Sequence, residues 1–556
     1  MDPVIVVGAG PVGLALSLAL AGQGVSCVLL DEGPGKDEPR PARTVVLPPD
    51  TAAMVRRLGC ATLPDEGARW SGWHTARRRQ EPTRTAFEDS GTAPLHLPQH
   101  ALTRGLRAAA AAHPLVRLVT DCKLDSLEQD ARGVTAHTRG SETTWWRGSH
   151  VVGCDGARST VRKLLGIRFP GRTAVERYAV AALRTELPWP NEGMLHRMPP
   201  ALGSGAPDEV TARPLPDGVW RLDWLLPPRG ELVTPDLLIG WIRDTLGGWC
   251  EGTTPPYELL DTGVHTVHHR LARRWRVGRA FLAGDAAHLL GALGTQGVAE
   301  GLRDAENLAW KLAATWHHDA SETLLDSYQA ERRTAVAARL RAADQALPLL
   351  RGGGLRTYLP GAARSQEALL TDGHLGRGRL GSAPGYGRSP LAPAPAEGAA
   401  GTATEPGDQA ADVLVTAPDG ATVRLRDLLG RGRLLVVLVA PGTGVWDRRH
   451  WAKAGLMPRL SEAVTALPVR AELLVADDYP GAVAHTVLLV RPDGHLAAAF
   501  TGVRPAELRA AAESVLGRAP EEEGPAAPGP RGGTDHQEAE TAAPVPVIVP
   551  STTPRT

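Results

Sequence analysis

Lysine and cysteine are scarce in this sequence, and neither sign of charge is in surplus. Of its 61 basic residues only five are lysine (36, 123, 163, 311 and 453), the other 56 arginine, and 61 acidic residues balance them. With a net charge of zero and a pI near 7.3, no overall field favours nucleic acid or an anionic membrane surface. The five cysteines (27, 60, 122, 154 and 250) form no CxxC pair and no metal-ligand spacing. An odd, sparse set of this kind fits a reducing compartment and excludes a disulfide framework. No cysteine lies beyond Cys250, which excludes dithiol exchange in the second half of the chain. Long apolar runs are missing too: residues 4–24 have no basic segment before them, and Gly and Pro interrupt them early. Neither a signal peptide nor a membrane span is predicted, and a cytoplasmic location is expected.

A chain of 556 residues is long enough for two to four domains. Its first signal is Val4-Ile-Val-Val-Gly-Ala-Gly-Pro-Val-Gly13. Four β-formers run into Gly8-x-Gly10-x-x-Gly13, and Leu14 to Ala21 continue as an apolar helix. In such a loop the first glycine permits the tight turn, the second lets a pyrophosphate approach, and the third lets the helix lie close on the sheet. Pro11 and Val12 complete it, at the positive end of the helix. A second strand, Val25 to Leu30, ends in Asp31-Glu32, an acid about twenty residues past the glycines, where a ribose hydroxyl needs one. The stretch reads as an adenine-dinucleotide site, without saying which dinucleotide.

Farther on, Asp50 to Leu58 and Gln99 to Ala112 read as helices, and Val116 to Val119 and Val134 to His137 as strands. Arg77-Arg78-Arg79 reads as a solvated face. Trp145 to Val152 leads into Gly153-Cys154-Asp155-Gly156, with a helix opening at Ser159, a good N-cap. A carboxylate such as Asp155, at the carboxyl edge of a strand, can serve a neighbouring loop or a ligand. Between 176 and 270, Glu209 to Arg213 and Val219 to Leu226 alternate as antiparallel strands do, and Asp236 to Leu246 reads as a helix packed on them. Trp220 and Trp224 fall on one face, as core or as an aromatic platform. Another apolar strand ends in Gly284-Asp285-Ala-Ala-His288, and a long helix, Ala299 to Ala314, follows Gly294-Thr-Gln296-Gly297-Val298. His288 reads as a local hydrogen-bonding residue with a catalytic role as the alternative. His74, His196 and Arg213 are candidates for a general base, and none is singled out.

Together, Gly8 to Gly13, Cys154-Asp155-Gly156, Gly284-Asp285 and Asp304-Ala-Glu-Asn307-Leu-Ala-Trp310-Lys311 resemble the class A flavin monooxygenases of the para-hydroxybenzoate hydroxylase fold, over roughly residues 1–350. The resemblance implies an α/β chain with a Rossmann-type FAD-binding domain (1–175 and 271–350) and an antiparallel-sheet substrate domain (176–270 with part of 64–98). It implies FAD as cofactor. Asp31, with Glu32 beside it, would bind the adenosine ribose, and Cys122 would offer backbone to adenine. Arg43 and Gln99 would contact the pyrophosphate and ribityl region, and Asp285 the ribityl chain. Asp155 belongs to the motif that serves FAD and the nicotinamide donor. Backbone at Gln296, Gly297 and Val298 would cradle the pyrimidine edge of the flavin. Two positions depart from the family pattern: His288 is followed by Leu-Leu rather than Pro-Pro, and Ala299-Glu300 stands where an Asn is usual.

Residues 408–518, with Ala411 to Gly420, Leu434 to Val439 and Val487 to Gly494, resemble the thioredoxin-like C-terminal domain of the phenol and polyketide hydroxylase branch. Residues 351–407 read as helix and linker, and 519–556 as a disordered tail. The activity implied is NAD(P)H- and O2-dependent hydroxylation of a polycyclic, polyketide-like aromatic through a flavin C4a-hydroperoxide. No second GxGxxG directly follows an apolar strand run, in keeping with a donor that binds transiently. Baeyer–Villiger or ring-cleaving chemistry is one alternative, and a non-oxygenating dehydrogenase or scaffold another. The expected partners are a small aromatic substrate and O2, with no metal, nucleic acid or membrane, in a monomer or homodimer.

Overall fold

The computed structural model describes residues 1–518 except 37, 88–92, 141–143, 200–206, 228–231, 291–296, 319, 351–361 and 443–454. The expected tail, 519–556, and Gln296 therefore lie outside the described residues.

A six-stranded sheet runs in the order Arg276–Val277, Ala280–Leu282, His150–Gly153, Val4–Val7, Cys27–Leu30, Val116–Val119. All neighbours in it are parallel except the first pair. Parallel strands put their carboxyl ends on one edge, so segments far apart in sequence meet there: Gly8, Asp31, Cys154-Asp155 and Gly284-Asp285. The helix Pro11–Ala21 has no amphipathic stripe because every residue from Gly13 to Ala21 is buried. It is held between the sheet and the helix Gly297–His318, and a helix enclosed on all sides is apolar all round.

An eight-stranded, mostly antiparallel sheet stands beside this unit, in the order His288–Leu289, Glu258–Leu271, Gly171–Arg184, Val219–Leu226, Glu209–Pro214, Glu192–Arg197, Gly72–Arg77, Thr83–Ala86. Alternation sorts its two faces. Trp220, Leu222, Trp224 and Leu226 pack with the helix Pro235–Trp249, so both tryptophans are core. Arg221 and Asp223 point the other way, to the face that carries Tyr178, Val180 and Val267. In the arginine run, Arg78 and Arg79 are exposed and Arg77 is half-buried.

Beyond the helix Ala362–His374 and a mostly irregular stretch, a six-stranded mixed sheet is centred on Leu434–Val439. This strand runs parallel to Ala471–Ala476 and antiparallel to Thr486–Val490. Buried on both faces, it is apolar throughout. Helices Met457–Thr465 and Pro505–Val515 cover one face, and the same core takes in Trp310, Ala314 and Leu324. The C-terminal unit is thereby packed on the back of the Gly297–His318 helix.

Candidate cofactor and substrate site

Between the carboxyl edge of the parallel sheet and the eight-stranded sheet lies a cavity of about 800 Å³. That is within the roughly 300–1,000 Å³ of small-molecule and cofactor sites. Gly10, Pro11, Val12, Arg43, Gln99, Asp285, Gly297 and Val298 all line it, together with Cys154, Gly156 and the strand segment Asp261 to His268. Two helix N-termini, at Gly10-Pro11 and at Gly297, thus face one space, each presenting N–H groups and a partial positive charge.

The glycines of the first loop divide their work. Gly8 has φ of +103°, and a Cβ there would lie 2.6 Å from the Cys154 carbonyl oxygen. At Gly13 a Cβ would lie 1.9 Å from the Gly8 carbonyl oxygen. Neither position has room for a side chain. A Cβ at Gly10, by contrast, would meet nothing within 4 Å, so the space beside it is open for a ligand. This is the cradle a dinucleotide pyrophosphate needs, and the residues present fit FAD.

The carboxylates differ. Asp31 Oδ1 accepts the Ala9 N–H at 3.0 Å, which ties the acid expected at the ribose to the loop. The adjacent Glu32 is exposed and approaches Lys123 at 3.6 Å, away from the cavity wall. Cys122 is buried, and its N–H donates to the Asp31 carbonyl. Asp155 does not open toward the cavity: it accepts from Ser159 Oγ (2.5 Å), Thr160 N (2.6 Å) and Val161 N (3.1 Å). It caps the helix Thr160–Leu164, as Ser159 does through the Arg162 N–H, and its role is to fix the Asp-Gly turn. Asp285 is the reverse case. Its side chain reaches the cavity solvent, yet it lies so deep that burial raises its pKa, against smaller opposing effects of His288 and Arg43. Among the described residues none hydrogen-bonds its carboxylate, which leaves it available to ligand hydroxyls.

His288 is fully buried, stacks on Trp275 at 5.2 Å and meets Asp304 Oδ2 at 2.7 Å. Asp304 also accepts from Gly284 N at 3.0 Å and Arg332 Nε at 2.8 Å. The histidine is a structural part of the Gly284–Leu289 turn. Glu300, next to the Ala299 that stands where the family has Asn, is buried among Arg303, Arg332 and Arg339. None of the three base candidates lines the cavity. His196 lies between the Arg78 carbonyl and Trp249 Nε1, His74 pairs with Glu192, and Arg213 is a buried partner of Asp223.

Several cavity residues escape motif reasoning. Arg221 lines the wall, held by Asp223 (2.6 and 3.0 Å) and by Thr44 Oγ1 at 2.8 Å. Asp223 is shared with Arg213 at 2.5 Å, so one carboxylate serves two guanidinium groups. Asp261 accepts the Ala42 N–H at 3.1 Å, and burial lowers the pKa of His265. Their only signal is strand alternation, which any half-buried strand shows. Arg107, on the helix Gln99–Ala112, donates to the Ala9 carbonyl at 3.4 Å.

Residues 1–343 match the family model of the FAD binding domain. The chain belongs to the FAD-binding-domain family. Among curated members, the 3-(3-hydroxy-phenyl)propionate/3-hydroxycinnamic acid hydroxylase of Mycolicibacterium smegmatis is 30% identical over 359 residues, 59% of this chain and 58% of that protein. The chain thus spans less than two thirds of that relative's length. The rifampicin monooxygenase of Streptomyces venezuelae is 34% identical over 342 residues, 60% of this chain and 68% of that protein. Among solved structures, aklavinone-11 hydroxylase with FAD and aklavinone aligns over 93% of this chain and 99% of its own, with TM-score 0.69 and 25% identity. The flavin-dependent monooxygenase PieE, at 22% identity, shares the fold with TM-score 0.72 over 93% of this chain and 99% of its own. The α/β fold and the FAD cofactor expected from the motifs are therefore those of this family. Among the described residues no helix is long and apolar enough to cross a membrane, and no side-chain cluster could hold a metal ion.

Proposed function

We propose that this family member is an FAD-dependent monooxygenase that uses NAD(P)H and O2 to hydroxylate a polycyclic, polyketide-like aromatic. The observation that carries the reading is the single cavity joining the dinucleotide loop to the inner face of the eight-stranded sheet. The first loop, Arg43 and Gln99 hold the phosphate and ribityl part, with Asp31 toward the ribose. Asp285 would accept from the polyol, and the N–H groups at Gly297-Val298 would hold the ring end. When bound, FAD supplies two-electron reduction by the nicotinamide donor and activation of O2.

The chain's own residues supply surroundings. The N–H groups and dipole of the Gly297–His318 helix stabilise negative charge at that end of the cavity. Val180, Val267, Leu289 and Leu290 offer apolar wall to an aromatic ring and exclude water. Arg221, locked by Asp223 and Thr44, keeps a fixed positive charge beside it. The eight-stranded sheet serves as the substrate domain. The C-terminal six-stranded unit is read as thioredoxin-like in form, and without cysteine it acts through packing.

The relatives that act on rifampicin and aklavinone support a large ring system. Product NMR after turnover on a panel of polycyclic phenols tests the reading: a new phenol supports hydroxylation, and an inserted ester oxygen contradicts it. That second outcome is the Baeyer–Villiger reading, which the Leu289-Leu290 pair at the cavity, in place of prolines, favours.

A further inference from the structure

The Gly297–His318 helix carries charge on the face opposite the cavity, and the C-terminal unit answers it. Arg491 forks onto Glu331 (Nη1 to Oε1, 2.6 Å; Nη2 to Oε2, 2.9 Å) and reaches Asp493 at 2.6 and 3.0 Å. Glu331 also accepts from Lys311 Nζ at 2.6 Å and Asn307 Nδ2 at 2.8 Å. Asp493 accepts from Asn307 at 3.0 Å and Trp310 Nε1 at 3.2 Å. These side chains are almost wholly buried. Arg491 and Lys311 balance Glu331 and Asp493, and the cations and anions come from two structural units. In the sequence these residues are Asn307, Trp310 and Lys311 of the Gly297–His318 helix, Glu331 beyond it, and Arg491 and Asp493 of the C-terminal unit.

The set continues toward the cofactor. The Arg491 guanidinium lies 5.5 Å from the centre of the Tyr386 ring, on which His495 stacks at 4.2 Å. Arg332 Nη1 donates to the Tyr386 hydroxyl at 3.3 Å, and Arg332 Nε to Asp304 Oδ1 at 2.8 Å. The other oxygen of Asp304 accepts from Gly284 N and pairs with His288. Asp285, which faces the cavity, lies between those two. Buried networks of this kind are over-determined, because an unpaired member is costly in a low dielectric.

We infer that the Arg491–Asp493 hairpin is a positioning element for the flavin-facing turn Gly284–Leu289, acting through Tyr386, Arg332 and Asp304. The C-terminal unit then sets cofactor affinity and electronics from behind the site while touching neither cofactor nor substrate. This rests on the reading that FAD occupies the cavity.

The test uses the full chain and FAD itself. Asp493→Asn keeps size and removes one charge. Tyr386→Phe removes only the hydroxyl joining Arg332. Asp427→Asn is the control, since its half-exposed pair with Arg56 at 2.8 Å also bridges the units but lies outside the network. Dissociation constant, visible spectrum and midpoint potential of bound FAD are measured on variants whose circular dichroism matches wild type. Asp493→Asn is expected to weaken FAD about tenfold, and Tyr386→Phe about threefold, the scale of energetic coupling through packed networks. Both should shift the flavin spectrum or potential, and Asp427→Asn should do neither. A purely structural hairpin would lower melting temperature and leave spectrum and potential alone, which overturns the inference. If Asp493→Asn does not fold, Tyr386→Phe decides, and wild-type values for it overturn the inference. A wild-type chain that binds no FAD overturns the FAD reading and the inference with it.

Discussion

A Cβ on Gly13 would sit 1.9 Å from the carbonyl oxygen of Gly8, so the first turn of the Pro11–Ala21 helix and the loop before it are in direct backbone contact. Gly10, between them, faces open space. Two glycines of one motif should therefore fail differently. Gly13→Ala is expected to destabilise the fold itself, by about 1–3 kcal/mol as an overpacked site, and to lower the melting temperature with or without cofactor. Gly10→Ala should leave the melting temperature of the cofactor-free chain unchanged and weaken FAD at least tenfold. Thermal melts and FAD titrations of the pair check this; equal melting temperatures for the two variants would contradict it.

Asp285 is paired with no described residue and is buried enough for its pKa to rise. A carboxyl group with a raised folded pKa stabilises the fold below its ordinary pKa and loses that contribution as pH rises through the folded value. Where it is ionised, its charge is a cost to the empty protein, borne for the ligand. Asp285→Asn should leave cofactor-free stability equal or higher while FAD affinity falls by about 1.5–3 kcal/mol, the worth of hydrogen bonds to a charged group. Denaturant melts and FAD titration on the same samples read both effects.

His96 is wholly buried between the Pro214 carbonyl and Thr44 Oγ1. Burial is the main reason its pKa is pushed down to about 3. The unfolded chain, with an ordinary histidine near pKa 6.5, binds the proton first. The stabilisation is full above that value and is lost as pH falls from about 6.5 toward about 3. Going from pH 7 to pH 5, this one group should cost about 2 kcal/mol. His96→Gln is expected to flatten the stability profile over that window whatever its absolute effect, which melts at pH 7, 6 and 5 report.

The parts of the fold most legible in the sequence were those whose physics is local. A run such as Leu434–Val439, or Val4–Val7 before a glycine loop, announces a buried strand by itself. The four cofactor segments were readable because parallel strands bring their carboxyl ends together, so each motif needed only its own strand. Asp155 shows the limit: the Asp-Gly turn was visible, but not that the carboxylate turns inward to cap Thr160–Leu164. The cavity wall at Arg221, Asp261 and His265 was hidden, because alternation marks a face without saying what stands opposite. Nor could spacing show that Arg491 and Asp493 meet Glu331 and Asn307 across a long separation in the chain.

The most direct measurement is on the purified chain after addition of FAD: its visible spectrum, then NAD(P)H oxidation and O2 uptake with and without polycyclic phenols. A bound-flavin spectrum and donor oxidation stimulated by an aromatic, matched by O2 consumption, is the expected result. A chain that takes up no flavin, or that binds it while no aromatic stimulates O2 uptake, would contradict the monooxygenase reading.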